Sequence, residues 1–302
     1  MKLIYEIYKF LKNFEVKYYK PFVKNFKIFK LYKESLENYE ALKSYIDVST
    51  MKKATGKLRE LQLQFLDYAL EIQEMLEKEL GIKMILGCGN LLGAARHGGY
   101  IPWDDDLDFF LMREDYEKVA SYMQQNHLYY NSGRNLDRII AENQNKLIAI
   151  HNYDMLAILK GTDATNRVQV DFFPIDFYKD DTDFEELRQY ASELKGQMFY
   201  IPKHKEWFRF IRKELKKCKY LTTKSNKIYW GIDSMLFYES LLKFKTATGF
   251  FSYDDIFPLK KMPYENTEFW APQNHEKLLI EMFGPNWREI PSSVLTKHGR
   301  GR

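Results

Sequence analysis

Four carboxylates within five positions, Asp104, Asp105, Asp106 and Asp108, stand at the mouth of the apolar run LDFFLM, and this crowding constrains the chain more than any other feature. Like charges held this close oppose one another's ionisation unless solvent or a cation neutralises them. On an extended strand, side chains two positions apart share a face, so Asp106 and Asp108 can grip one ion while Leu107 faces the core. Hard carboxylate oxygens select Mg²⁺ or Mn²⁺ over zinc. An isolated acidic run is more often a solvated turn. Here a further acid, Asp171, lies inside a second apolar run, VQVDFFPI, where a buried charge needs a partner or a metal. The residues therefore point to a three-carboxylate cradle of Asp106, Asp108 and Asp171.

The flanking pattern supplies a frame for such a cradle. Leu61, Phe65, Ala69, Ile72, Leu76 and Leu80 follow helical spacing from about Lys57 to Gly81. The run IKMIL then reads as a short strand ending at Gly87-Cys88-Gly89-Asn90, and LLGAARH reads as the start of a helix. A strand, a glycine turn and a helix N-terminus can turn backbone N–H groups toward a phosphate, which makes Gly87, Gly89 and Asn90 donor-binding candidates. Arg96 and His97 follow on that helix and are candidates for the same phosphate. Trp103 reads as a packing residue beside Ile101 and Pro102, and Asp104 and Asp105 as groups that support the turn from behind. LDFFLM and RVQVDFFPI read as two further strands with REDYEKVASYMQQN as a helix between them, and from about Asp180 the pattern is mostly helical. The expected class is α+β, a small mixed sheet flanked by helices, with a helical N-terminal arm and a mostly helical C-terminal region.

Charge is uneven along the chain. The total is +4, yet residues 1 to 33 hold nine Lys against Glu6 and Glu15, which leaves the remainder slightly acidic. With aromatic residues between the lysines and Pro21 as a breaker, residues 1 to 46 read as amphipathic helices that either pack on the body or lie on anionic membrane. A second basic stretch runs from Lys195 to Lys227 and reads first as a solvated helix face, with a cradle for an anionic donor or lipid-linked glycan, formed with Trp207, Phe208 and Phe210, as the alternative. No nucleic-acid motif accompanies either stretch, so nucleic acid is not an expected partner. Cys88 and Cys218 form no zinc spacing. His151, His204 and His275 likewise lack metal-ligand spacing. No run approaches the roughly 18 to 20 apolar residues that span a bilayer. The expected setting is cytoplasmic, with peripheral contact on the inner face of the membrane through the arm.

The order of glycine turn, helix, Asp-x-Asp strand and third acid on a neighbouring strand is the pattern of the nucleotidyltransferase fold. More specifically, LLGAARHGGYIPWDDDLDFFLMREDYEKV resembles the LicD family, relatives of the fukutin-type proteins, and the similarity continues through VDFFPID and DIFPLKKMPYEN to EMFGPNWREIP. The chain departs from the family at Asn90, where Thr or Ser is usual. The resemblance implies a metal-dependent phosphotransferase that acts on cell-surface glycans such as lipopolysaccharide, capsule or teichoic acid. In the best-known cases such enzymes move phosphocholine from CDP-choline, and others use CDP-ribitol or CDP-glycerol. It implies a CDP-activated donor and a glycan or lipid-linked glycan acceptor as partners. Metal on Asp106 and Asp108 would neutralise the donor pyrophosphate, and Asp171 would ligate as well or take the acceptor's proton. The organisation expected is an arm over 1–55, a catalytic core over 56–180 and a C-terminal region over 181–302 that completes the substrate site. A catalytically silent binding subunit is the reading from a different class, and three acids beside strands weigh against it.

Overall fold

The computed structural model describes residues 46–131, 136–152, 155–160, 168–201, 204–243 and 249–289, with isolated positions at 30, 33, 34, 37 and 38. The chain divides into two units, Met1–Val48 with Glu289–Val294 and Ser49–Arg288 with Leu295–Arg302. In the first, the five isolated positions are helical and exposed, and Lys30–Glu34 and Lys33–Glu37 pair one turn apart at 3.8 Å. Of the rest of the expected arm over 1–55, residues 46–55 are described, with a 3-10 turn at Val48–Thr50, and the others lie outside the described residues. No described helix is long and apolar enough to cross a membrane.

The second unit is built on a mixed sheet. Helix α1 (Gly56–Leu80) buries the stripe Phe65, Leu66, Ala69, Ile72 and Leu76, as its apolar spacing requires. Strand β1 (Ile85–Leu86), helix α2 (Cys88–His97), strand β2 (Asp108–Met112) and helix α3 (Arg113–Asn126) follow in quick succession. Next come β3 (Leu128–Tyr130), α4 (Leu136–Glu142), β4 (Ile148–His151), β5 (Leu156–Lys160) and the eleven-residue β6 (Val168–Tyr178). Strands β4 and β5 are buried on both faces: Ala149, Leu156 and Ile158 join the main core, while Ile148, Ile150, Ala157 and Leu159 close a smaller one with Ile140 of α4. That division follows the two-residue period of a strand.

Two helices, α5 (Phe184–Phe199) and α6 (His204–Lys217), bear out the helical expectation beyond residue 180 only in part. From 221 onward the chain returns to strands β7 (Leu221–Thr222), β8 (Lys227–Trp230), β9 (Phe251–Ser252), β10 (Lys260–Tyr264) and β11 (Thr267–Ala271). Helix α7 (Met235–Tyr238), a π-turn at Glu239–Lys243, α8 (Tyr253–Ile256) and α9 (His275–Phe283) separate or follow them. The class is α+β and the sheet is mixed, as expected, but among the described residues it has eleven strands. Its main path runs β10-β11-β1-β2-β6-β5-β4-β3, with β8 bridging β6 and β9. The prolines of this region fit strands and turns: Pro263 sits in β10, and Pro258 follows α8.

Strand β6 is the hub. It pairs parallel with β2 through Asp108↔Asp171 to Met112↔Ile175, antiparallel with β5 through its first half, and antiparallel with β8 through its second. Where β6 meets β8, Arg113 forks onto Asp176 at 2.7 Å and onto Asp233 at 2.5–2.9 Å, and Arg212 of α6 pairs with Glu117 at 2.5 Å and reaches Asp233 at 3.5 Å. Although burial alone would raise the Asp233 carboxyl, Arg113 and Arg212 hold it below the usual range. Gly231 leaves the room for this: a Cβ there would stand 2.3 Å from an Arg113 nitrogen. Nearby, His151 lies buried between the hydroxyls of Tyr116 (3.2 Å) and Tyr129 (2.7 Å), and burial pushes its pKa down to about 4. It is a core histidine.

The turn between β10 and β11 is fastened to the body by Glu265, which accepts from Arg59 at 2.8–2.9 Å, from Lys53 and from the Tyr100 N–H at 3.1 Å. Burial works against the ionised carboxylate, but these donors outweigh it and hold the pKa at about 2. The sign follows directly. A carboxyl lowered from 4.5 in the free side chain contributes stability above about pH 4.5 that is lost as pH falls toward 2. Urea midpoints measured from pH 5 to pH 2.5 should therefore fall more steeply for the wild type than for Glu265→Gln, by on the order of 2 kcal/mol. Parallel curves would remove Glu265 from the acid response.

Candidate active site

The site forms where α2 crosses the beginning of β2. The Gly87 N–H donates to the Asp108 carbonyl at 3.1 Å, so the helix starts against the strand. Asn90 completes the attachment. Its side chain accepts from the Asp108 N–H at 2.6 Å and donates to the Asp106 carbonyl at 3.4 Å and to the Tyr264 hydroxyl at 3.1 Å. At 1% exposure, with its amide engaged on three sides, Asn90 holds the acidic segment in place and is not oriented as the phosphate contact expected of it. From the other side, Gln62 of α1 donates to the carbonyls of Asp104 at 2.9 Å and Ile101 at 3.3 Å.

These clamps fix where the acids point. Leu107 is fully buried while Asp106 and Asp108 are half-buried, the alternation that an extended segment imposes. Asp171 stands in register beside Asp108, its N–H donating to the Leu107 carbonyl at 3.0 Å and its carboxylate accepting from Gln169 at 2.5 Å. Partners in a parallel pair share a face, so these two acids are neighbours across the strands. The tightest cluster is a different one: Asp104, Asp105 and Asp106 bring carboxylate oxygens within 4.8 Å of one another. Burial, reinforced by Asp106, pushes the Asp104 carboxyl well above the usual range. The donor set is all carboxylate oxygen, which suits a hard divalent cation. Asp104 and Asp105, expected as supporting groups, are thus brought among the candidate ligands, and Gly89 allows it: a Cβ there would lie 2.9 Å from an Asp104 oxygen.

Arg96 and His97 lie at the far end of α2. Arg96 is buried, donating to His97 Nε2 at 3.0 Å and to the Trp287 carbonyl at 3.0 Å. Burial lowers its pKa to about 10, with Asp104 acting in the opposite direction. The His97 ring meets Trp103 edge-on at 6.2 Å, consistent with packing.

Asp104, Asp106 and Asp108 line a cavity of about 250 Å³ together with Cys88 and Gly89 of the first α2 turn. That volume is close to the lower end of the roughly 300–1,000 Å³ typical of ligand sites. The opposite wall comes from the C-terminal region: Tyr229 and Trp230 of β8, Leu236, Glu239 and Ser240 beyond it, Phe251 of β9, and Glu281, Met282 and Phe283 of α9. Tyr229 donates to Ser240 at 2.9 Å, and burial raises its pKa to about 12, so it remains a neutral phenol. Sequence reasoning missed this wall. With 22 Tyr and 22 Phe in the chain, nothing local distinguishes the rings that converge.

Asn90→Ala should lower the urea unfolding free energy by about 1–3 kcal/mol, because it strips the partner from the buried Asp108 N–H and from the Tyr264 hydroxyl. Asn90→Asp should cost more, since it adds a charge beside the acids. An unchanged midpoint for Asn90→Ala would show that the strand is held by other means.

Part of the chain is similar to known proteins. A lipopolysaccharide cholinephosphotransferase, LicD, of Haemophilus influenzae is 44% identical over 82 residues, which span 27% of this chain and 30% of that protein. Uncharacterized proteins of Rickettsia prowazekii and Rickettsia typhi are each 51% identical over 45 residues, 15% of this chain and 16% and 14% of theirs. The chain thus matches less than a third of the length of these relatives. Residues 81–221 match the family described as LicD/FKTN/FKRP, nucleotidyltransferase domain, and they hold α2, β2, β6 and every acid of the cluster. Over that span the chain is similar to the nucleotidyltransferase domain of the LicD family.

Proposed function

We propose that the chain transfers phosphocholine from CDP-choline to a sugar hydroxyl of a cell-surface glycan, with a divalent cation held by the carboxylates at the mouth of β2. One observation carries this reading: the acid-lined cavity continues into a wall of Tyr229, Trp230, Phe251 and Phe283, with Glu239 and Glu281 among them. A quaternary ammonium makes no conventional hydrogen bonds and is recognised by aromatic faces and carboxylates. A polyol head group would need several paired donors and acceptors instead. The local similarity to a lipopolysaccharide cholinephosphotransferase supports the same choice.

Asp104, Asp105 and Asp106, with Asp108 beside them, would hold Mg²⁺ or Mn²⁺. When bound, the cation supplies charge neutralisation for the donor pyrophosphate and the departing CMP. The remaining work belongs to the chain. The first turn of α2, where Cys88 and Gly89 line the cavity, offers N–H groups to the donor phosphates. Asp171, held by Gln169, takes the proton of the acceptor hydroxyl as that oxygen bonds to the phosphorus bearing choline and the bond from that phosphorus to CMP breaks. No Ser or Cys nucleophile is required.

Given Mg²⁺ and an acceptor glycan, CMP release should be faster from CDP-choline than from CDP-ribitol or CDP-glycerol. Asp106→Asn and Asp108→Asn should abolish it, and Asp171→Ala should slow it by at least about 100-fold. A polyol donor turning over about tenfold faster would replace choline as the head group and leave the carboxylate roles standing. A second measurement needs no turnover. Asp104→Asn relieves the crowding of charge, so the variant should melt above the metal-free wild type, and Mn²⁺ should raise the wild-type Tm more than the variant's. Equal shifts in both proteins would take Asp104 out of the ligand set.

A further inference from the structure

Helix α5 ends in a corner that turns two large aromatic side chains to solvent. Phe199 is 84% exposed and Tyr200 83%, their rings edge-to-face at 5.6 Å, whereas Met198 just before them is buried. Every other exposed large hydrophobic among the described residues is at 45% or less. The corner is well fastened. The N–H groups of Tyr200 and Ile201 donate to the carbonyls of Gln197 and Met198 at 3.2 and 3.0 Å, and the Trp207 indole of α6 donates to the Ile201 carbonyl at 2.7 Å. The two rings therefore stand on a hydrogen-bonded helix end.

Basic residues surround them. Helix α6 buries Ile211 and exposes Arg209, Lys213, Lys216 and Lys217, whose spacing places them along one stripe. Lys195 near the end of α5 and Lys219 just beyond α6 are exposed as well. Among the described residues, only Lys217 of this set forms an ion pair, with Glu214 at 2.9 Å. The chain's own N-terminal segment is a poor cover for such a face, since residues 1 to 33 hold nine Lys against two Glu. A second copy would bring the same positive stripe. An anionic lipid surface supplies what both lack, negative headgroups for the cations and a headgroup–acyl boundary for Phe and Tyr.

We infer that the α5–α6 corner is a membrane-surface anchor, in which Phe199 and Tyr200 enter the headgroup region of an anionic bilayer and Arg209, Lys213 and Lys216 lie along it. The inference goes beyond the proposed transfer reaction and does not depend on it. Helix α5 also ties the anchor to the cavity wall, because Arg188 donates to the carbonyl of Leu241 in the π-turn that supplies Glu239 and Ser240.

Co-sedimentation of the full chain with vesicles tests it, using phosphatidylcholine alone or with about one-third phosphatidylglycerol, at low and high salt. The wild type should sediment with the anionic vesicles only and be released by salt. Phe199→Ser with Tyr200→Ser should weaken that binding by roughly tenfold, and Lys213→Glu with Lys216→Glu by at least as much. Both pairs should keep the wild-type circular dichroism and Tm, since the replaced side chains are exposed. Three results would overturn the anchor: no binding of the wild type to anionic vesicles, undiminished binding by either folded pair, or a wild-type dimer in ultracentrifugation that the Phe199/Tyr200 pair dissociates.

Discussion

The three hydrogen bonds of the Asn90 side chain decide where the acidic segment can run. A carboxylate cluster repels itself, and left to its own charges the stretch from Asp104 to Asp108 would splay into water. Backbone contacts oppose this from both sides. Asn90 and the Gly87 N–H grip the strand end, and Gln62 grips the preceding turn. Because these bonds go to main-chain atoms, they fix the path of the chain without neutralising any carboxylate. The acids are placed by neutral groups.

A contrasting arrangement lies on the same strand. At Asp176 of β6 the buried carboxylates of Asp176 and Asp233 are both met by the forked guanidinium of Arg113, and Arg212 reaches Asp233 at 3.5 Å. Asp171 and Asp176 are five positions apart, so an extended strand directs them to opposite faces. One face of β6 therefore carries Asp171, in register with Asp108, and the other carries Asp176, met by the Arg113 guanidinium. The compensated set anchors the turn after β8 and with it the start of α7, so the aromatic wall rests on an ion network remote from the acids it faces.

Much of this was legible in the sequence because it is local. The stripe from Phe65 to Leu76 announces α1, and REDYEKVASYMQQN coincides with α3. The alternation around Leu107 correctly separates a buried leucine from two acids, and the position of Asp171 in VQVDFFPI anticipates its register with Asp108. What was not legible depends on contacts across long stretches of chain. Asn90 resembles a phosphate ligand in a glycine turn until Tyr264 and the Asp108 N–H are seen to occupy its amide. The run from 221 to 271 alternates too briefly to distinguish strands from broken helix, and its pairing with β1 and β6 is fixed by partners far away in sequence. Asp104 reads as a supporting group because nothing local reveals that Gly89 lets it approach.

Strand β1 is only two residues long, and its parallel partner is Trp270 of β11, while the amide that holds the acids leans on Tyr264. These partners are separated by well over half the chain. During synthesis the segment around Asp104 to Asp108 is complete long before the residues that brace it exist. Non-local pairing of this kind is slow to form and is made late. Until then the contacts from Gln62 and Gly87 are the braces that the preceding chain can supply. Those two braces of the site therefore come from the C-terminal hairpin, the part of the sheet that is synthesised last.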